Sequence, residues 1–232
     1  MTTPQATQVR TAGDFRIVLP GTWLRVPLDA EDRVRAFARA AVVDAVGRSD
    51  RLASLRRDAV TRIVDLARQT REAGAHTLLM ATQMLPGVPF SASVVGRDVP
   101  WPTPAAPSTS PAASAVADSG DLASAGATSG RDAMRDRLEA AYPGREIREL
   151  RSGLAVRELS HGVLRGMEEE TPSLQLAYWI PRPDSDELLH IRFTTPTAGV
   201  DAPVAAFLDA VADSISWIEQ PGAEVEVEAE SS

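Results

Sequence analysis

Two stretches near the end of the chain, Leu174 to Pro181 and Glu187 to Thr195, alternate apolar and polar residues with a period of two. Successive strand side chains point to opposite sides, so Leu174, Leu176, Tyr178 and Ile180 share one face of the first, and Leu189, Ile191 and Phe193 one face of the second. The loop Pro183-Asp184-Ser185-Asp186 is too short for a crossover, so the two strands pair antiparallel and press one core. Such a pair demands a covering layer. A helix from Asp201 to about Ile218 supplies one, with Val204, Phe207, Leu208, Val211, Ile215 and Ile218 at helical spacing behind a capping Asp201.

The rest of the chain reads as further α+β material. Phe15 to Leu19 and Thr22 to Val26 are β-rich runs separated by Pro20-Gly21, which predicts a hairpin with Phe15, Ile17 and Leu19 on one face. Asp29 and Asp32 predict a capped helix start, with the helix running to about Val46. A second helix, from Ser49 or Asp50 to Gly74, carries the stripe Leu52, Leu55, Ala59, Ile63, Leu66 and Thr70, with Asp58–Arg62 and Arg68–Glu72 at i,i+4. Strands follow at His76 to Leu85 and, after Pro86-Gly87, at Phe90 to Val95. A helix from Arg131 to Tyr142 ends at Pro143-Gly144, and strands are expected at Glu146 to Arg151 and Leu154 to Ser160.

Composition shifts set the expected organisation. Residues 99–130 are rich in Pro, Ala, Ser, Thr and Gly and have little apolar surface to offset their ordering entropy, so they read as a disordered linker. It separates an α+β half at 15–98 from another at 131–218, with a flexible N-terminus at 1–14. Residues 219–232 hold five Glu and no Arg, and read as a solvated acidic tail.

What the chain lacks removes much chemistry. Every one of its 24 basic residues is Arg; neither Lys nor Asn occurs, as in a GC-rich genome, and there is no Cys. Schiff-base lysines, phosphate-loop lysines, thiolate nucleophiles, disulfides and cysteine-built metal sites are excluded. No G-x-S-x-G, G-x-G-x-x-G, H-E-x-x-H or calcium-loop pattern is present, and His76, His161 and His190 lie far apart. No catalytic residue, cofactor or metal site is expected. The net charge of -8 argues against nucleic acid, and the N-terminal sequence and the want of a long apolar run predict a cytoplasmic protein without membrane insertion. The mixed or acidic faces of the helices favour core packing over a membrane surface.

The order of parts from Tyr178 to Trp217, a strand ending in Pro, a strand ending in FTTP, a short loop and a helix closing with Trp, joins the early LPGTW turn in a recognisable pattern. It resembles a group of actinobacterial proteins whose ends are similar to Mog1/PsbP-like domains. The resemblance implies an α/β/α sandwich around an antiparallel sheet, and a binding or accessory role. It carries over no active-site residue.

Three residues are singled out as a partner-binding site. Leu188, His190, Arg192 and Thr194 lie opposite the core face of their strand, and Trp179 shares that side in a suitable register. An aromatic platform with a cationic edge suits a hot spot, and an exposed imidazole would make binding respond to pH near about 6.5. If a helix covers this face, Trp179 is core instead. Glu168, Glu169 and Glu170 read as a solvated loop, and Trp23 beside Arg16 and Arg25 as a structural cation-π contact. Tyr142 to Glu146 matches a Y-x-x-x-[DE] pattern that resembles a secretion signal, although no W-x-G turn precedes it. The chain is thus expected to be a non-catalytic adaptor with an unknown protein partner. The second reading is a small-molecule binder or hydrolase using Asp, Glu, Ser and His in a cleft between the halves.

Overall fold

The computed structural model describes residues 6–11, 14–85, 88–102, 125–164, 171–183, 185–196 and 199–218. In chain order its elements are β1 (Ala6–Arg10), β2 (Phe15–Pro20), β3 (Thr22–Arg25), α1 (Glu31–Val46), α2 (Ala53–Glu72, after a 3-10 turn at Asp50–Leu52), β4 (Thr77–Leu85), β5 (Val88–Pro100), α3 (Ala125–Ala141), β6 (Glu146–Leu150), β7 (Gly153–Leu164), β8 (Thr171–Pro181), β9 (Glu187–Pro196), α4 (Asp201–Asp213) and β10 (Ser216–Trp217). The architecture is α+β, with antiparallel sheets covered by helices.

The alternating strands β8 and β9 lie inside a seven-stranded antiparallel sheet of order β3-β4-β5-β9-β8-β7-β6. Their apolar faces are fully buried, as the period of two requires: Leu174, Leu176, Tyr178, Ile180, Leu189, Ile191 and Phe193 are all at 0% exposure. Over this face lie β2, through Phe15, Ile17 and Leu19, and α4, through Leu208, Val211, Ala212 and Ile215. The opposite face carries α1 and α2 above Val26, Leu78 and Val95, and α3 above Leu154, Val156 and Trp179. β5 and β9 pair from Ser93↔Thr194 to Pro100↔Glu187, so the strands before and after residues 103–124 belong to one continuous sheet.

Several expectations are corrected by packing. β2 and β3 form no hairpin: β2 pairs with β1 and β10 in a separate three-stranded sheet, whereas β3 pairs with β4. Gly21, at a φ of 87°, redirects the chain there, and a strand that buries its entire inner face against the large sheet must leave that sheet's plane. The final helix stops at Asp213 rather than near Ile218. The Ser214 hydroxyl accepts from Val18 N at 2.9 Å and lies 2.6 Å from Val211 O, and the chain then pairs Ser216 and Trp217 with Arg16 and Phe15 of β2.

β5 and β7 outrun their predicted lengths because neighbouring strands supply the backbone partners that their weaker alternation does not advertise. Neither predicted cap forms. Ala30 occupies the N-cap of α1 while Asp29 pairs with Arg33, and Val200 precedes α4 while Asp201 pairs with His161 at 2.8 Å. On α2 the buried side turns toward Ile63, Val64, Leu66, Ala67 and Thr70, and Leu55 is 50% exposed. Arg68 pairs with Asp65 at 2.7 Å instead of Glu72.

Of the expected flexible N-terminus, Ala6–Arg10 is strand β1. Of the expected linker, Val99 and Pro100 end β5 and residues 125–130 open α3. Residues 103–124, Pro86-Gly87, Glu168 to Glu170 and the acidic tail lie outside the described residues. Phe207 is only half buried, set edge-on to Phe90 at 5.9 Å between ring centroids. Phe207→Ala is therefore expected to cost about 1–2 kcal/mol in a denaturant titration, below the range for a fully enclosed ring.

Candidate functional site

The register of three strands brings Trp179, His190 and Arg97 into one row on the face that carries α1, α2 and α3. Trp179 lies opposite His190, and His190 opposite Arg97. The Trp179 ring stacks on His190 with centroids 4.8 Å apart and planes at 23°, and Tyr142 meets Trp179 at 5.2 Å. The helix α3 delivers Tyr142, Leu138 and Met134 to this spot, so Trp179 belongs to a small core beneath α3. Burial pushes the Tyr142 hydroxyl up to about 12, which keeps it protonated.

His190 is only 4% exposed. Arg97 Nε donates to its Nδ1 at 3.2 Å, which assigns the proton of the neutral ring to Nε2, an atom with no partner among the described residues. Burial, with the charges of Arg192 and Arg97 added, pushes the imidazole down to about 4, so it stays neutral across the range near 6.5 where a surface histidine would titrate. Arg192 remains exposed. The structure thus brings Trp179 and His190 together under cover and leaves Arg192 as the member of the three that faces solvent.

A second polar cluster lies under α4. Asp209 receives Arg157 Nε at 2.8 Å and Nη2 at 3.2 Å, Arg148 Nη1 at 2.8 Å, and the Tyr178 hydroxyl. Glu146 closes the cluster on Arg157 at 2.9 Å and Arg148 at 2.8 Å. Burial works against the Asp209 carboxylate, but the hydrogen bonds of Arg157 and Tyr178 outweigh it and hold the group below its ordinary range. Burial first, then the hydrogen bond to Asp209 and its charge, raises the Tyr178 phenol. With the carboxylate saturated by donors and the phenol protonated, the cluster ties α4 to β6, β7 and β8. Its sequence trace was one polar tip in each of two apolar patterns, Tyr178 in the β8 stripe and Asp209 beside Leu208 on α4.

The third feature is the outer half of β7. β6 begins at Glu146 opposite Arg157, so from Glu158 to Leu164 strand β7 pairs with β8 on one side and with no strand on the other among the described residues. Leu159 (41%), Val163 (48%) and Leu164 (36%) are exposed along this edge. Leu159, His161 and Val163 share the side that carries α4, because they stand opposite Leu176, Leu174 and Pro172. The His161–Asp201 pair anchors the start of α4 beside them, next to the exposed Val200. His76 Nε2 lies 3.5 Å from Asp98, and among the described residues no group of three or more His, Cys, Asp or Glu could hold a metal ion. Among them, too, no helix is long and apolar enough to cross a membrane.

No family model and no curated protein matches this chain. Among solved structures, it is similar to the Saccharomyces cerevisiae Ran-binding protein Mog1p over 93% of this chain and 97% of that one, with a TM-score of 0.38 and 9% identity. A single-residue variant of protein Mog1 gives 92% and 96% coverage, a TM-score of 0.38 and 8% identity.

Proposed function

We propose that this chain is a non-catalytic adaptor that works through protein–protein interaction, and that its partner adds a strand along Glu158–Leu164 of β7. The supporting observation is an edge seven residues long that lacks a second strand among the described residues and displays Leu159 and Val163 on one side. An open edge offers unpaired N–H and C=O groups in register, and sheet proteins usually blunt such edges with charge, proline or a bulge. Here the charges on the edge are already engaged, Glu158 with Arg145 at 2.9 Å and His161 with Asp201 at 2.8 Å, and the exposed residues beside them are Leu159, Val163 and Leu164. A bound strand gains backbone hydrogen bonds from the edge, and its alternate side chains rest on Leu159, Val163 and the neighbouring Val200.

The test begins with a partner captured by the full chain, identified, and purified for binding measurements. Leu159→Lys with Val163→Lys should weaken its affinity at least tenfold, about 1.4 kcal/mol, with an unchanged melting curve. Unchanged affinity in that variant, with a loss on Arg192→Ala, would move the interface to the opposite face of the sheet and sink the edge-strand reading.

A further inference from the structure

The outer edge of β7 is complementary to itself. From Glu158 to Leu164 its ladder with β8 runs without a register shift, so the outward side is a regular strand rather than a bulged one. Two copies meeting along it are related by a two-fold axis, which requires antiparallel pairing, with opposite side chains on the same side of the joined sheet. Full overlap of the seven residues then places the axis at His161. Leu159 of each copy stands opposite Val163 of the other, Ser160 opposite Gly162, and Glu158 opposite Leu164, so no two carboxylates face each other. A slip of one residue would bring side chains of opposite faces together, and the next permitted register shortens the ladder and sets Leu159 or Val163 opposite His161.

Exposed apolar surface is concentrated at the same place. Of the five large apolar residues that are exposed among the described residues, four lie here, Leu159, Val163, Leu164 and Val200, and only Leu55 lies elsewhere. We infer that two copies of this chain pair through Glu158–Leu164 of β7, an inference that rests on the reading of this edge as the partner's site and makes the pair the form a partner has to open. On the α4 side the joint gathers Leu159 and Val163 of both copies, with each Val200 held nearby because its neighbour Asp201 pairs with His161.

The helices leave room for the joint. α4 packs over β8, one strand in from β7. The two copies of α4 would thus stand three strand spacings apart, about 14 Å, which exceeds the roughly 8–10 Å between packed helices. The joint is about 23 Å long at 3.3 Å per residue and covers on the order of 1,000 Å² in total, at the low end for a specific interface, so a pair that dissociates in the micromolar range is expected. A pair of that strength leaves a tighter partner able to displace the second copy.

Sedimentation of the full chain should show a mass rising toward twice the monomer's across the micromolar range, whereas Leu159→Lys with Val163→Lys should stay monomeric with an unchanged melting curve. The lack of cysteine lets the register be read directly. Opposite residues of an antiparallel pair lie about 4.5–5.5 Å apart at Cα, within disulfide reach, but the two copies of Leu159 would be about 14 Å apart. Under mild oxidation an equal mixture of Leu159→Cys and Val163→Cys chains should therefore cross-link at least tenfold more than either alone. The purified partner should lower the dimer fraction, and the cross-linked dimer should bind it at least tenfold more weakly than the same chains after reduction. A chain that is monomeric at every concentration, or single-cysteine chains that cross-link as well as the mixture, overturns the self-pairing and leaves the edge-strand reading to its own lysine test. A cross-linked dimer that binds the partner as tightly as the reduced chains overturns the occlusion and that reading together.

Discussion

Asp209→Ala is expected to destabilise the fold by about 3 kcal/mol, because it strands a nearly buried guanidinium rather than merely deleting a contact. The Arg157 side chain is 12% exposed and Asp209 16%, and Arg157 directs two of its nitrogens at that one carboxylate. Removing the acid leaves those donors and the Tyr178 hydroxyl without their shared acceptor inside the fold. Glu146 still holds one edge of Arg157, which limits the damage.

Tyr178→Phe removes a donor and leaves the charge pair intact, so it should cost less, about 1 kcal/mol. Equal losses for the two substitutions, or a loss near zero for Asp209→Ala in a urea titration, would show that the cluster is a solvated surface network. The pH dependence has a definite sign. Asp209 is held below its ordinary range in the fold, so its stabilisation is present above the unfolded carboxyl pKa of about 3.9 and is lost as pH falls through the lower folded value.

His190 should dominate the pH dependence of stability at milder acidity. Its folded pKa is pushed down to about 4, against an ordinary value of 6.5. Between those values the unfolded chain binds a proton that the folded chain refuses, so the unfolding free energy rises with pH through that window. The contribution is fully present above 6.5 and lost as pH falls to 4, with a total of about 3 kcal/mol at 1.36 kcal/mol per pKa unit. Unfolding curves at a series of pH values should show this slope in the parent chain and not in His190→Gln. Arg192→Ala should remove part of it, since the Arg192 cation adds to the effect of burial. Parallel curves for parent and His190→Gln would mean that the imidazole is as free to protonate in the fold as outside it.

Much of the fold was legible because it is written in short-range periodicity. Strands β8 and β9 and the ends of α1 at Val46 and of β4 at Leu85 fall where alternation, helical spacing and the glycine and proline punctuation put them. These features depend on residues within a few positions of one another, and backbone geometry alone turns them into faces. The run Phe15 to Leu19 likewise declared which side it would bury, and all three of its predicted inward residues are at 0% exposure.

What the local pattern left open was every choice between partners distant in sequence. A buried inner face told nothing about whether β2 would pair with β3 or cross over the large sheet, and helical spacing through Ile218 could not foresee that Ser214 would find Val18. The candidate site divided in the same way. The side of β9 that carries His190 and Arg192 followed from alternation, but the burial of His190 required Trp179, Arg97 and α3 to arrive from three other elements. Asp209 and Arg157 became one cluster only when α4 crossed β7, and the outer half of β7 has no second strand among the described residues because β6 begins no earlier than Glu146. Periodicity is a property of neighbouring backbone units and survives in the sequence; burial, pairing and charge balance are properties of segments packed together, and exist only once the chain has closed on itself.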